Sequence, residues 1–382
     1  PRSTLFPYTT LFRSKDKVLF TPGPLTTSRT IKQATLRDVG HRDFEFIQMV
    51  KDIRKKLLVL AGVADQGYET VLMQGSGTYS VEAVISTALP ANGKLMLIIN
   101  GAYGKRIAKM AQVLKIASVE CIYPEDALPD LQEIEATLKE DAAITHVAIV
   151  HCETTTGLMN PIKEVGEIVK KYGKIYIVDA MSSFGAVPMN LADCYIDYMI
   201  SSANKNLEGI PGFAYVIVRR DVLLATEGNA RSLSLDLLDQ WKGLEKNGQF
   251  RFSPPTHCIL ALNQALHELD LEGGVKGRAA RYRENYETLV AGMRAMGFKE
   301  YLRPELQGYI ITSFRYPTDP NFDFEEFYTR LNDKDYVIYP GKVSDADCFR
   351  IASCGRIFKN DIRDVLRAIQ ETITEMGVTL TR

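Results

Sequence analysis

At 382 residues the chain is too long for one ordinary hydrophobic core and is expected to divide into a large domain and a smaller one. Apolar residues make up 46% and charged residues 24%, the proportions of a globular protein and not of a disordered or fibrous one. The 46 basic and 47 acidic residues nearly cancel, so no whole-molecule field favours nucleic acid or an anionic membrane, and no apolar run approaches the roughly 20 residues of a spanning helix.

The first fourteen residues, Pro1 to Ser14, fit poorly with the rest: short apolar stretches interrupted by Pro7 make no secretory signal, and the wording resembles translated adaptor DNA. This prefix is expected to pack on nothing. Residues 15–260 read as the large domain, with the stretch 15–35 placed across the functional site, and 261–382 as the small one. From Glu69 to Arg219 short apolar runs alternate with amphipathic stretches. The strands are expected at Thr70–Met73, Lys94–Asn100, Val119–Tyr123, Thr145–His151, Lys174–Asp179, Tyr198–Ser201 and Phe213–Val218. Helical patterns at Tyr79–Leu89, Lys105–Leu114, Leu128–Lys139 and Lys163–Tyr172 separate them. Strands without polar alternation, spaced by helices, predict an α/β fold: a mainly parallel sheet covered on both faces in three layers. Further on come helical patterns at His257–Glu272 and Gly277–Met296, strands near Tyr309–Phe314, Val337–Tyr339 and Phe349–Ala352, and a last helix from Asp361, which together read as a smaller α+β domain.

In such sheets ligands bind beyond the carboxyl ends of the strands, and the candidate chemistry collects there. Asp179 and Lys205 each stand where a strand runs out. An amine and a carboxylate presented from neighbouring strand ends suit the two reactive poles of a pyridine aldehyde: the amine bonds to the aldehyde carbon and the carboxylate keeps the ring nitrogen protonated. Gly75-Ser-Gly-Thr78 opens a helix, where close backbone approach and unpaired amides favour a phosphate, although Ser and Thr also cap helices for structural reasons alone. Tyr103, in Asn100-Gly-Ala-Tyr-Gly104, can lay its ring on a flat heteroaromatic group or pack at a domain seam. His151-Cys-Glu-Thr-Thr-Thr-Gly157 offers hydroxyls, most simply that of Thr154, or is a polar turn. Arg350 lies between apolar neighbours on a strand, where it needs an anionic partner: a bound carboxylate or phosphonate, or an internal Asp or Glu. Cys121, Cys152, Cys194, Cys258, Cys348 and Cys354 are scattered, with no CxxC pair and no His spacing suited to zinc, so a metal-free protein of the cytoplasm is expected.

Taken in order, these segments resemble the class V aminotransferases among the fold-type I enzymes dependent on pyridoxal phosphate. The likeness runs from about Val18 to the last helix. It is carried by Leu19-Phe-Thr-Pro-Gly-Pro-Leu25, Gln74-Gly-Ser-Gly-Thr78, Asn100-Gly-Ala-Tyr-Gly104, Glu153-Thr-Thr-Thr-Gly157, Val178-Asp-Ala-Met-Ser-Ser183, Ser201-Ser-Ala-Asn-Lys205, Ser253-Pro-Pro-Thr-His257 and Val337-Ile-Tyr-Pro-Gly-Lys342. The resemblance implies that Lys205 carries pyridoxal 5'-phosphate and serves as the base, and that Asp179 pairs with the ring nitrogen. Tyr103 would stack on the ring, Ser76, Gly77, Thr78 and Asn204 would hold the phosphate, and Thr154 and Met181 would complete the cofactor site. Ser253 and Thr256 would reach the phosphate from the partner subunit of a homodimer, and Arg350, with Gly23, would bind the substrate's anionic end. Within the family the Ser-Ser-Ala-Asn-Lys and Ile-Tyr-Pro-Gly-Lys-Val segments point to 2-aminoethylphosphonate as amino donor and pyruvate as acceptor, in phosphonate breakdown.

Alternatives stay open on the sequence. Alanine–glyoxylate or serine–pyruvate exchange would use the same machinery, and a lyase would release ammonia from a hydroxylated aminoethylphosphonate without pyruvate. A cysteine desulfurase needs a nucleophilic thiol on a mobile loop, whereas Cys348 and Cys354 flank Arg350 in an apolar pattern and read as packing. A binding scaffold that has lost its chemistry would lack the lysine or the carboxylate; both are present.

Overall fold

The structure, a computed structural model, describes residues 16–341, 343 and 345–380. A two-residue strand, β1 (Val18–Leu19), precedes two helices, α1 (Arg29–Ala34) and α2 (Phe44–Leu60). There follow in alternation β2 (Tyr68–Gln74), α3 (Gly77–Ala88), β3 (Lys94–Ile99), α4 (Ala102–Val113), β4 (Ala117–Ile122), α5 (Leu131–Glu140) and β5 (Ile144–Val150). A short hairpin of β6 (Cys152–Glu153) and β7 (Leu158–Met159) leads to α6 (Ile162–Lys171), β8 (Ile175–Asp179), β9 (Tyr198–Ser202) and β10 (Phe213–Arg219).

Seven of these strands form one sheet in the order β2-β10-β9-β8-β5-β3-β4. β10 runs antiparallel to β2 and β9, and the other neighbours pair in parallel. All of β9, and β10 up to its last residue, are buried on both alternating faces. That pattern requires cover above and below, and helices supply it: α3 packs on β9 and β10, α4 on β3 and β4, α6 on β8, and α2 and α8 (Leu237–Asn247) on β2. α2 shows how the helices earn their place. Phe46, Val50, Ile53 and Leu57 recur at the spacing of one helix face and are buried, while the charged Lys51, Lys55 and Lys56 remain outside the core.

After β10 come α7 (Arg220–Leu224), α8, α9 (Thr256–Leu271) and the long α10 (Gly274–Met296). Residue 260, where the sequence places the division between domains, lies inside α9, and Ile259, Leu262, Leu266 and Leu269 of that helix join the core around the large sheet. Gly273 and Gly274, both at positive φ, then turn the chain into α10. The second core starts along α10 at Leu289. It closes around β11 (Ile311–Arg315), α11 (Phe324–Asp333), β12 (Tyr336–Val337), β13 (Tyr339–Pro340), β14 (Cys348–Ala352) and α12 (Lys359–Glu375). Its three-stranded antiparallel sheet runs β11-β14-β13, with Phe349 among Phe298, Phe314 and Phe327. The start of the chain belongs to this second core: β1 pairs in parallel with β12, and Phe20 is fully buried within it. Among the described residues no helix is long and apolar enough to cross a membrane, and no group of His, Cys, Asp or Glu side chains is arranged to hold a metal ion.

Candidate active site

The carboxyl ends of β5, β8 and β9 open onto a cavity of about 230 Å³. Of the residues singled out from the sequence, Gly23, Ser76, Gly77, Thr78, Tyr103, Thr154, Asp179, Met181, Asn204 and Lys205 all stand in its walls. Asp179 is buried, and its Oδ1 accepts the Met181 amide at 2.9 Å. Burial pushes its pKa up to about 6, against the pull of that amide and of the positive charges of Lys205 and Arg106. Burial acts the other way on the Lys205 ammonium, holding its pKa below the usual lysine range, with Tyr103, Cys354 and Asp179 opposing the shift. Lys205 Nζ donates to the Pro22 carbonyl at 2.9 Å, which brings the segment after β1 against that amine. Gly23 fits there because it has no side chain: a Cβ would come within 2.7 Å of Lys205 Cδ and 2.8 Å of Nζ, at a φ of +125°.

Ser76 occupies the N-cap position of α3, yet its side chain makes no capping hydrogen bond. The uncapped start of this twelve-residue helix, Ser76, Gly77 and Thr78, lines the cavity, and such an end suits an anionic group. A Cβ on Gly77 would meet the Met181 sulfur at 2.4 Å, so that position is fixed by the packing of two wall residues.

α4 begins at Gly101, which has no side chain to cap it, and the cap comes from β6 instead. The buried Glu153 carboxylate accepts the Gly104 amide at 2.9 Å, the Tyr103 amide at 3.4 Å and the Thr155 hydroxyl at 3.0 Å. Burial raises its pKa to about 7 despite these bonds. Glu153 thereby sets the helix end that carries Tyr103. Arg350, 1% exposed on β14, stands behind this wall and is not part of it. Its Nε donates to the Pro340 carbonyl at 2.9 Å and its Nη1 to the Thr154 carbonyl at 2.7 Å. The ring of Tyr339 lies 5.7 Å from the guanidinium carbon. Among the described residues no Asp or Glu pairs with it, and backbone oxygens and the Tyr103 side chain stand where an internal carboxylate was considered from the sequence.

The sequence pattern of the family described as aminotransferase class-V matches residues 26–338. This chain belongs to the class V aminotransferases. It is 52% identical over 359 residues to the 2-aminoethylphosphonate–pyruvate transaminase of Salmonella typhimurium, a match spanning 94% of this chain and 98% of that one. Among solved structures it shares its fold with the ureidoglycine–glyoxylate aminotransferase of Bacillus subtilis, at a TM-score of 0.88 and 21% identity over 96% of this chain and 95% of that one. The pyridoxamine–pyruvate aminotransferase of Mesorhizobium loti gives 0.86 and 22% over 96% and 94%.

Two of the singled-out residues of this class V aminotransferase lie away from the cavity within the single chain. Ser253 is exposed beside the end of β2, where Gln74 Nε2 lies 3.4 Å from its carbonyl, and Thr256 opens α9. Lys342, the last residue of the Val337–Lys342 motif, and the prefix 1–14 lie outside the described residues. Cys348 and Cys354 are buried, and burial raises their thiols to about 11 and about 12, the reverse of a reactive thiolate. Sequence reasoning passed over Arg106, Ser202 and Cys152, all in the wall, and Glu153 behind it. Arg106 had a signal: it follows Tyr103 by three positions, hence one turn along the same face of α4, and its guanidinium lies 4.9 Å from that ring.

Proposed function

We propose that this class V aminotransferase uses pyridoxal 5'-phosphate to move the amino group of 2-aminoethylphosphonate to pyruvate, giving phosphonoacetaldehyde and L-alanine. One observation carries the chemistry: a lysine amine, a buried carboxylate and an uncapped helix N-terminus share one small cavity. The 52% identity with the Salmonella typhimurium transaminase supports the choice of substrates.

The walls fit the cofactor at each pole. The Ser76 hydroxyl and α3 amides, with Thr78 and Asn204, suit a phosphate, and Asp179, held on one oxygen by Met181, suits a cationic ring nitrogen. Thr154 provides a hydroxyl for the ring's own, and Tyr103 an aromatic face. When bound, the group supplies an electron-accepting pyridine ring for the charge released as the carbon–hydrogen bond beside nitrogen ionises. The chain's residues do the rest. Burial keeps more of the Lys205 amine neutral, the form that attacks a carbonyl and accepts a proton. Asp179, ionised above about pH 6, keeps the ring nitrogen protonated. Both substrates carry one anionic head group, phosphonate or carboxylate, so one guanidinium, aimed by the Thr154 and Pro340 carbonyls, serves both halves of the exchange.

The active unit is a homodimer in which Ser253 and Thr256 reach the partner's phosphate site. Their absence from the cavity walls of their own chain supports this, as do the exposed rings of Tyr79 and Phe252 beside Gly75 and Gln74. The test is to mix purified protein with 2-aminoethylphosphonate and pyruvate and measure phosphonoacetaldehyde and L-alanine. Equal amounts of the two products are expected. Ammonia release without pyruvate, or faster exchange with alanine and glyoxylate or serine and pyruvate, would overturn the substrate assignment.

A further inference from the structure

Three segments that form the site meet again on its far side, around a buried cluster of charge. Glu208, three positions after Lys205, adopts a left-handed backbone at φ +62°, and its amide closes the turn onto the Lys205 carbonyl at 2.7 Å. A non-glycine residue with positive φ persists where its surroundings hold it there. Here the holder is the side chain. The Glu208 carboxylate, 1% exposed, accepts the Tyr282 hydroxyl and Arg281 Nη2, each at 2.7 Å. Arg278, fully buried, donates to the Asn206 carbonyl within the same turn and to Glu272 at 2.8 Å.

The other ends of these groups hold the exit of β14. Tyr282 accepts the Gly355 amide at 2.9 Å while donating to Glu208, and Arg281 Nη1 binds the carbonyls of Gly355 and Ile357. Gly355 lies five positions beyond Arg350, and the next residue, Arg356, donates its amide to Thr26 of the segment that carries Gly23. Two acids and two arginines balance in charge, yet Glu208 Oε2, Arg278 Nη2 and Asn206 Nδ2 are buried without a partner among the described residues. A buried network left incomplete contributes little to net stability, and its value lies in fixing geometry.

We infer that Glu208 is a positioning residue that, through Tyr282 and Arg281, holds the Lys205 turn in register with the Arg350 strand, so that the amine and the substrate's anionic anchor act at one fixed separation. This rests on the roles proposed for Lys205 and Arg350. The test compares Glu208→Gln, Glu208→Gly, Tyr282→Phe and the Glu208→Gln/Tyr282→Phe double variant with the parent. The first readout is the rate at which cofactor-free protein captures pyridoxal phosphate at Lys205, followed by absorbance, borohydride trapping and peptide mapping. The second is kcat and KM for each substrate, and the third is the melting temperature.

Both Glu208 variants are expected to capture the cofactor more slowly and to lose roughly tenfold to a hundredfold in kcat/KM for both substrates. Glu208→Gly should fare no better than Glu208→Gln although glycine relaxes the backbone. Tyr282→Phe should raise KM with a smaller change in kcat, and the double variant should be no worse than the poorer single one, the mark of one shared path. Parental capture and kinetics in Glu208→Gly, strictly additive losses, or lowered melting temperatures with unchanged kinetics would overturn the inference. Should neither Glu208 variant fold, an unchanged KM in Tyr282→Phe overturns it. A parent protein that captures no pyridoxal phosphate at Lys205 overturns the proposed function itself, whereas parental capture with unaffected variants overturns the coupling alone.

Discussion

Two buried aspartates stand at opposite ends of neighbouring parallel strands, and their surroundings differ. Asp197 precedes β9 and is enclosed by the protein: its two oxygens accept the Tyr176 amide at 2.8 Å and Arg219 Nη1 at 3.0 Å. Asp179 ends β8 and takes one amide, from Met181, while its carboxylate stands in the cavity wall. Burial raises the pKa of both. The open space beside Asp197 is the larger, about 730 Å³ against about 230 Å³, but its charged groups largely answer one another, Arg219 pairing with both Asp197 and Asp221. Volume therefore does not mark the site. What marks it is polar groups that the fold brings together and leaves for something else to complete.

The comparison breaks if the Asp179 end of the sheet can be altered without chemical consequence. Lys205→Ala should reduce alanine formation by roughly 10⁴-fold or more and abolish covalent capture of pyridoxal phosphate, read by borohydride trapping. Asp179→Asn should retain the fold and lower kcat by roughly 10²–10³-fold, about 3–4 kcal/mol of barrier, in steady-state assays. Arg350→Lys should raise KM for both substrates by roughly tenfold or more, since a point charge loses the planar fork; single-turnover assays that leave one half-reaction intact would show that the anchor is not shared. Acid gives a finer test. A carboxyl whose pKa is raised to about 6 is protonated as pH falls through that value, so each further unit removes up to roughly tenfold of the ionised form. Affinity of the cofactor-free protein for pyridoxal phosphate should then fall more steeply below pH 6 than in Asp179→Asn, whose residual slope reports the other titrating groups. The smallest effect on turnover belongs to the opposite end. Asp197→Asn should stay within about twofold of parental activity while losing roughly 1–3 kcal/mol of stability in denaturant titrations, because it leaves Arg219 and the Tyr176 amide poorly matched.

The interior strands of the large sheet were legible because burial on both faces demands apolar runs, and residues 175–178 and 213–218 carry no charge. The reversed direction of β10 was not legible, since direction is set by what the strand pairs with and not by its composition. α2 was missed for a different reason: Lys51, Asp52, Arg54, Lys55 and Lys56 interrupt the apolar stripe when it is read linearly, although Phe46, Val50, Ile53 and Leu57 align once the chain is coiled. β1 spans two residues and exists through its pairing with β12. In the site, side chains at strand ends could be named in advance. Arg350 showed the limit: its need for acceptors was evident, but beside the Tyr103 side chain they include two main-chain carbonyls, which every residue possesses and no sequence singles out. The αL turn at Glu208 was equally silent, because glutamate carries no preference for that backbone and its conformation comes from distant arginines.

The pairing of β1 with β12 joins Val18 to Tyr336 across most of the chain. During synthesis the segment around Pro22 precedes β12 by about three hundred residues, so α1 can dock on α9 while β1 still waits for its partner strand around Tyr336. The strands of the large sheet all precede β12, so that sheet can pair before β1 is fixed and before Pro22 is held against the Lys205 amine. The cover over Lys205 thus depends on a contact between the two ends of the chain, and loosening either end reaches the same amine.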